Sequence, residues 1–231
     1  MNRRQAIGSI AGAVAVTAAI AQTSDAKTPP FTPVAPGAHK AVPLPFNAAK
    51  LTGLSEKLLT SHHDNNYAGA IKNLNAVELE LDKVTKDTPG FHVAALRERE
   101  LTYANSAYLH EHYFENLGGD GKASGEIAKA LSAQFGSAAR WEELVRATAM
   151  SLGGGSGWVV IAASPLTHDL RIVGTAGHAP ALAAGTPLLV LDMFEHAYAI
   201  DFGAAHAKYI DAFFANANWG VVEKRWLATR K

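Results

Sequence analysis

From Leu54 to about Leu81 the apolar residues return every three or four positions, without a proline, in LSEKLLTSHHDNNYAGAIKNLNAVELEL. That period predicts one long amphipathic helix. Pro89-Gly90 punctuates the chain, and a second helical pattern runs from about Val93 to Leu117. Gly118-Gly119-Asp120-Gly121 is a strong turn signal. Two shorter helices follow, Gly125 to Gln134 and Ala138 to Ser151. After Gly153-Gly154-Gly155 the pattern changes to short continuous apolar runs: Trp158 to Ala163, Leu170 to Gly174 and Leu188 to Leu191. These read as buried strands, and their connections are too short for crossover helices, so the sheet is expected to be antiparallel. Helical patterns resume from Glu195, then from His206 to Asn216 and from Trp219 to Ala228. The sum is an α+β plan: a long antiparallel helical hairpin over 46–120, then a domain over 121–231 with three antiparallel strands and surrounding helices.

The first 45 residues do not share this patterning. Arg3-Arg4, a weakly apolar run from Ala6 and the close Ala19-Ile20-Ala21 describe a secretory signal peptide over 1–21, with cleavage expected after Ala21. The paired arginines point to the twin-arginine route, which carries folded proteins, and thus to a periplasmic or secreted protein. Residues 22–45 hold six prolines and read as a linker or extended arm, in which His39 is expected to be solvated.

Composition narrows the chemistry. The 231 residues are 48% hydrophobic and 18% charged, which supports a folded core. Acidic and basic side chains balance at 21 each, so a dedicated nucleic-acid binder, with its basic excess, is not expected. No cysteine is present, which excludes a disulfide scaffold, a thiolate nucleophile, an iron–sulfur cluster and a thiolate zinc site. A metal would need nitrogen and oxygen ligands, and there are ten histidines. No H-E-x-x-H occurs, and the glycine runs do not lie between a strand and a helix, so neither a zinc-protease signature nor a phosphate loop is found. Asp192 and His196 lie i, i+4 at the end of the strand PLLVLD. A carboxylate there is costly unless paired; a metal offsets that cost, and so does a helix cap. His62 and His110 lie mid-helix among apolar positions, open to a core or a ligand role. Three imidazoles and one carboxylate together suit iron, manganese or zinc.

Several stretches then resemble one family. GGGSGWVVI, TPLLVLDMFEHAYAIDF and NANWGVVEKRW are similar to the C-terminal signature of the iron/manganese superoxide dismutases, DMFEHAY matching its D-x-W-E-H-A-Y-Y motif. LPFNAAKLTGLSEKLLTSHHDNNYAGAIKNLN and SAYLHEHYFENLGG resemble the segments carrying its first two histidine ligands. The resemblance covers about 43–226. It implies a mononuclear iron or manganese ion held by His62, His110, Asp192 and His196, converting superoxide to dioxygen and hydrogen peroxide. It implies that Trp158 walls the metal pocket, and that Glu195 reaches His196 of a second subunit in a homodimer, or in a tetramer. Val190 leans towards iron.

The chain also departs from that family. Where the family has a gateway histidine and tyrosine, this chain has Asn66 and Ala70; Phe194 replaces a tryptophan, Ala199 a tyrosine and His206 an arginine. Tyr67 is a candidate to fill the space at Ala70. The outer-sphere glutamine is replaced by Ser106 at its helix position, and His178 aligns with its loop position as the candidate proton donor. These departures leave two alternatives beside the dismutase: an iron oxygenase or peroxidase on the same scaffold, and a degenerate exported metal-binding protein. Without the leader the chain is formally −2, because the leader holds only Arg3 and Arg4 among charged residues; steering of an anion would need local basic groups.

Overall fold

A computed structural model describes residues 34–153, 155–178 and 185–230. The expected leader lies outside the described residues, as does the first part of the expected linker.

Ser55 opens the first helix by accepting the Leu58 amide on its hydroxyl, 3.0 Å away. The helix is not uniform. Helix α1 (Glu56–Ser61) widens into a π-helical stretch (His62–Tyr67) and then continues as α2 (Ala68–Leu81). Such a widening carries one more residue per turn and is frequent at functional sites. Here it places both His62 and Tyr67 inside, each about 1% exposed. Pro89, which cannot continue a preceding helix, precedes α3 (Gly90–Glu115), and α3 packs along α2 to form the expected hairpin.

Helix α4 (Gly125–Phe135) ends at Gly136, whose φ of 98° suits glycine, and Ser137 caps α5 (Ala138–Ser151) through the Arg140 amide. The sheet has the order β2–β1–β3 and is antiparallel throughout, with β1 Trp158–Ala163, β2 Leu170–Thr175 and β3 Thr186–Asp192. The central strand is buried along its whole length, which is why its sequence is apolar without alternation. Its register sets Trp158 opposite Thr175 on one side and Asp192 on the other. The chain then runs through short α6 (Ala199–Phe202), α7 (His206–Ala215) and α8 (Trp219–Ala228).

The outer edge of β3 has no strand beside it in the described residues; a side chain pairs with it instead. Asn116, fully buried at the end of α3, accepts the Val190 amide at 2.8 Å and donates to the Leu188 carbonyl at 3.3 Å. Arg225 of α8 donates to the same carbonyl at 2.9 Å. Each of these strand groups would cost roughly 1–3 kcal/mol if buried unpaired. Beside Asn116 the backbones of two distant segments pair: Gly119 donates to Asn216, Gly121 to Ala217, and Asn218 to Asn116. One hydrophobic cluster runs from Leu54 to Trp226, so hairpin and sheet share a core.

The arm from Val34 is strapped to the hairpin. The Gly37 amide donates to Glu78, the His39 amide donates to Asn75, and the Asn75 side-chain amide donates back to the His39 carbonyl, each at 2.9 Å. His39 was expected in solvent; its ring instead meets the Glu78 carboxylate at 2.8 Å. Glu78 and Asn75 lie three apart on α2 and so face the same way. No helix of the described residues is long and apolar enough to cross a membrane.

Candidate metal centre

Four side chains meet where the π-helical stretch, α3 and the end of β3 converge. The Nε2 atoms of His62, His196 and His110 lie 3.1, 3.3 and 3.5 Å from one oxygen, Oδ2 of Asp192. Four potential ligand atoms, one per residue, fall within 4.8 Å of one another. His62, His110 and Asp192 are buried; His196 keeps 24% of its side chain exposed.

The donor set fits a cation. Three imidazole nitrogens facing one carboxylate oxygen are more than a hydrogen-bond pattern requires. His110 Nε2 has no hydrogen-bond partner at all. Its other nitrogen, Nδ1, donates to the Ser106 carbonyl at 2.7 Å, which fixes the tautomer and leaves the Nε2 lone pair facing the centre. Burial pushes His110 down to about 3 and lowers His62, so both imidazoles are neutral, as ligation requires. Burial alone would raise Asp192, but the electrostatic and hydrogen-bonding interactions with His196 and His62 outweigh it and hold the carboxyl well below its usual range. Its second oxygen, Oδ1, accepts the Phe194 amide at 2.8 Å, and Tyr209 donates to the Asp192 carbonyl at 2.7 Å.

Around this centre stand the other residues singled out by sequence. Trp158 is buried, meets His110 edge-on at 5.0 Å between ring centres, and donates its indole N–H to His178 Nδ1 at 3.0 Å. That bond leaves the proton of a neutral His178 on Nε2. Burial lowers His178, which favours the neutral form. Phe194 lies parallel to the His178 ring at 4.5 Å and to the His196 ring at 5.4 Å. A phenylalanine thus keeps a stacking surface while offering no indole N–H. Asn105, buried on α3, donates to the His178 carbonyl at 2.9 Å; sequence reading missed it, although it lies five residues before His110.

Two candidates border the ligand cluster without joining it; the Tyr67 ring lies 6.3 Å from that of His110. Tyr67 does not occupy the space beside Ala70. Its hydroxyl donates to Glu111 at 2.7 Å and accepts the Val42 amide at 2.9 Å, on the side covered by the arm. Glu195 is exposed and forms no ion pair among the described residues.

A cavity of about 200 Å³ leads from the surface to His110 and His196. Asn65, Asn66, Gly69, Ala70 and Asn73 line one side of it, Thr102, Tyr103 and Ser106 the other, and His178 also borders it. Among the described residues, no lysine or arginine lines it.

An α+β chain that gathers three imidazoles and one carboxylate at the join of a helical hairpin and a three-stranded sheet has the donor set of a mononuclear metal site. Residues 123–225 match the C-terminal domain of the iron/manganese superoxide dismutases. The chain is 46% identical over 189 residues to an iron superoxide dismutase of Cupriavidus metallidurans, covering 80% of this chain and 95% of that one. It is 33% identical over 182 residues to a manganese superoxide dismutase of Haloarcula marismortui, covering 77% and 88%. It is 31% identical over 190 residues to a manganese/iron enzyme of Aeropyrum pernix, covering 79% and 88%. The chain belongs to the iron/manganese superoxide dismutase family. Its reaction takes two superoxide ions and two protons to dioxygen and hydrogen peroxide, with an iron or manganese ion as cofactor.

Proposed function

We propose that this chain is an exported, iron-preferring superoxide dismutase that works as a homodimer. The observation that carries the dismutase reading is the convergence of three imidazole nitrogens on one Asp192 oxygen at the end of a narrow cavity. In this reading His62, His110, Asp192 and His196 hold the ion, which when bound supplies one-electron oxidation and reduction at a tuned potential. The protein's part is to admit a small anion, exclude larger ones and hold protons ready. His178 presents an Nε2–H towards the cavity, and Trp158 keeps that tautomer in place from behind. His178 therefore takes the place of the outer-sphere glutamine as the donor to solvent at the centre. Phe194 stacks on it and completes the apolar wall.

Iron is favoured by Val190, buried two residues before Asp192, and by the iron enzyme among the relatives at 46% identity. Dimerisation is supported by Glu195, an exposed carboxylate without an ion pair among the described residues, next to His196; across a twofold axis each would reach the other's neighbour. Export rests on the leader over 1–21, followed by the arm over 22–45, the hairpin domain over 46–120 and the α/β domain over 121–231.

Protein loaded separately with iron and with manganese is expected to accelerate superoxide decay, the iron form more strongly. A fully loaded iron form without activity would overturn the reading. Sedimentation at micromolar concentration should give a dimer that Glu195→Gln weakens, and the mature exported protein should begin at Gln22.

A further inference from the structure

The cavity above the centre is built from two facing helical walls. Along α3, Tyr103, Ser106 and His110 are spaced i, i+3, i+7, which puts them on one face, and all three line the cavity. Seven residues set Tyr103 about 10 Å outward of His110. On the opposite wall Asn66, Ala70 and Asn73 follow His62 at four, eight and eleven residues, and these three also line the cavity. The two helices of the hairpin run in opposite directions, so Ala70 and Tyr103 stand at similar depth on facing walls.

The walls are unequal there. Gly69 and Ala70 contribute no functional group and almost no bulk. Among the described residues Tyr103 is the one phenol lining the cavity; the hydroxyl of Tyr67 is taken by Val42 and Glu111. The Tyr103 hydroxyl makes no hydrogen bond to another described residue. It is half-buried, and a phenol so placed is satisfied only by water or by a ligand.

We infer that Tyr103 is an anion-binding residue of the channel, its ring narrowing the passage that Gly69 and Ala70 leave wide and its hydroxyl donating a hydrogen bond to a small anion on its way to the ion. The ligand class is a monovalent anion of two or three atoms, or the water it displaces. The phenol thus enters from α3, although nothing in the D-x-x-E-H segment or the first ligand helix announces it. This inference rests on the reading of His62, His110, Asp192 and His196 as the ligands.

The test uses the full chain loaded with iron, with azide as the probe, and compares wild type with Tyr103→Phe and Tyr103→Ala. Metal content is measured first, and azide binding is followed by the absorption of the iron centre. All three proteins are expected to hold equal iron. Tyr103→Phe should weaken azide about fivefold to tenfold, the scale of one hydrogen bond to a charged group. Tyr103→Ala should weaken azide similarly and, by widening the passage, raise the affinity for thiocyanate relative to azide; Tyr103→Phe should not change that ratio. Iron-loaded variants that bind azide within twofold of wild type, with an unchanged thiocyanate ratio, would overturn the role of Tyr103. A wild type that takes up no iron would overturn the ligand reading, and the inference with it.

Discussion

Asp192→Asn is expected to yield a folded protein with little bound metal and activity reduced at least about 100-fold. The substitution preserves shape, and the side-chain oxygen that accepts the Phe194 amide at 2.8 Å can go on doing so. The backbone is held independently, by the Tyr209 hydroxyl on the Asp192 carbonyl and by pairing with Trp158 in the sheet. What disappears is the only negative charge among the four ligands. The amide would then either aim two N–H donors at three imidazole nitrogens or turn over and lose the Phe194 bond. Losing even a partner outside the ligand set typically costs 10–100-fold in metal affinity or activity, so losing the sole anionic ligand should exceed that range. Elemental analysis, superoxide decay and a far-UV spectrum on one preparation check it. A fully loaded, fully active Asp192→Asn protein would remove Asp192 from the centre.

The second large effect is expected far from the metal. Gly119→Ala should lower the melting temperature by about 6–12 °C, corresponding to roughly 3 kcal/mol of overpacking in a chain of this size. A methyl group at Gly119 would lie 2.3 Å from the Ala217 carbonyl oxygen and 2.5 Å from the Asn218 Cα. Both are backbone atoms, so no rotamer change relieves the clash. The segment cannot simply move away either, because Gly119 and Gly121 donate to Asn216 and Ala217, and Asn218 donates to Asn116. Asn116 in turn occupies the edge of β3, so a disturbance here reaches the strand that carries Asp192. Gly90→Ala is the control: nothing lies within 4 Å of the added methyl, and its melting temperature should stay within about 2 °C of wild type. Equal melting of the two variants would show that the close approach is not a constraint.

Much of this architecture was legible along the chain because it follows from burial. Trp158–Ala163 is apolar at every position since both its faces are covered, and its limits could be read to the residue. The four candidate ligands were legible through the D-x-x-E-H segment and the two helical histidines, and the structure brings those four side chains together. Other features leave no periodic trace. The widening at His62–Tyr67 adds a fraction of a turn, which an apolar pattern tolerates without showing it. That shift is why Tyr67 could be imagined at the channel mouth when its hydroxyl in fact faces the arm. His39 looked solvated because a proline-rich stretch has no period, and its partners Asn75 and Glu78 read as exposed helix positions. Asn105 and Asn116 are single polar residues whose partners lie elsewhere in the sequence. Only Tyr103, seven residues before His110, has a spacing that hints at a shared face.

The lining of the cavity has a kinetic meaning of its own. A passage bordered by asparagine, threonine, serine, tyrosine and histidine presents hydrogen-bonding groups but, among the described residues, no lysine or arginine. An anion arriving there meets no cationic side chain among the described lining residues, and the full chain is formally neutral. Electrostatically guided encounters weaken steeply as ionic strength rises, whereas unguided ones do not. Capture then depends on how often superoxide finds the opening by diffusion alone. The enzyme would therefore trade peak encounter rate for a turnover that changes little when the salinity around it changes.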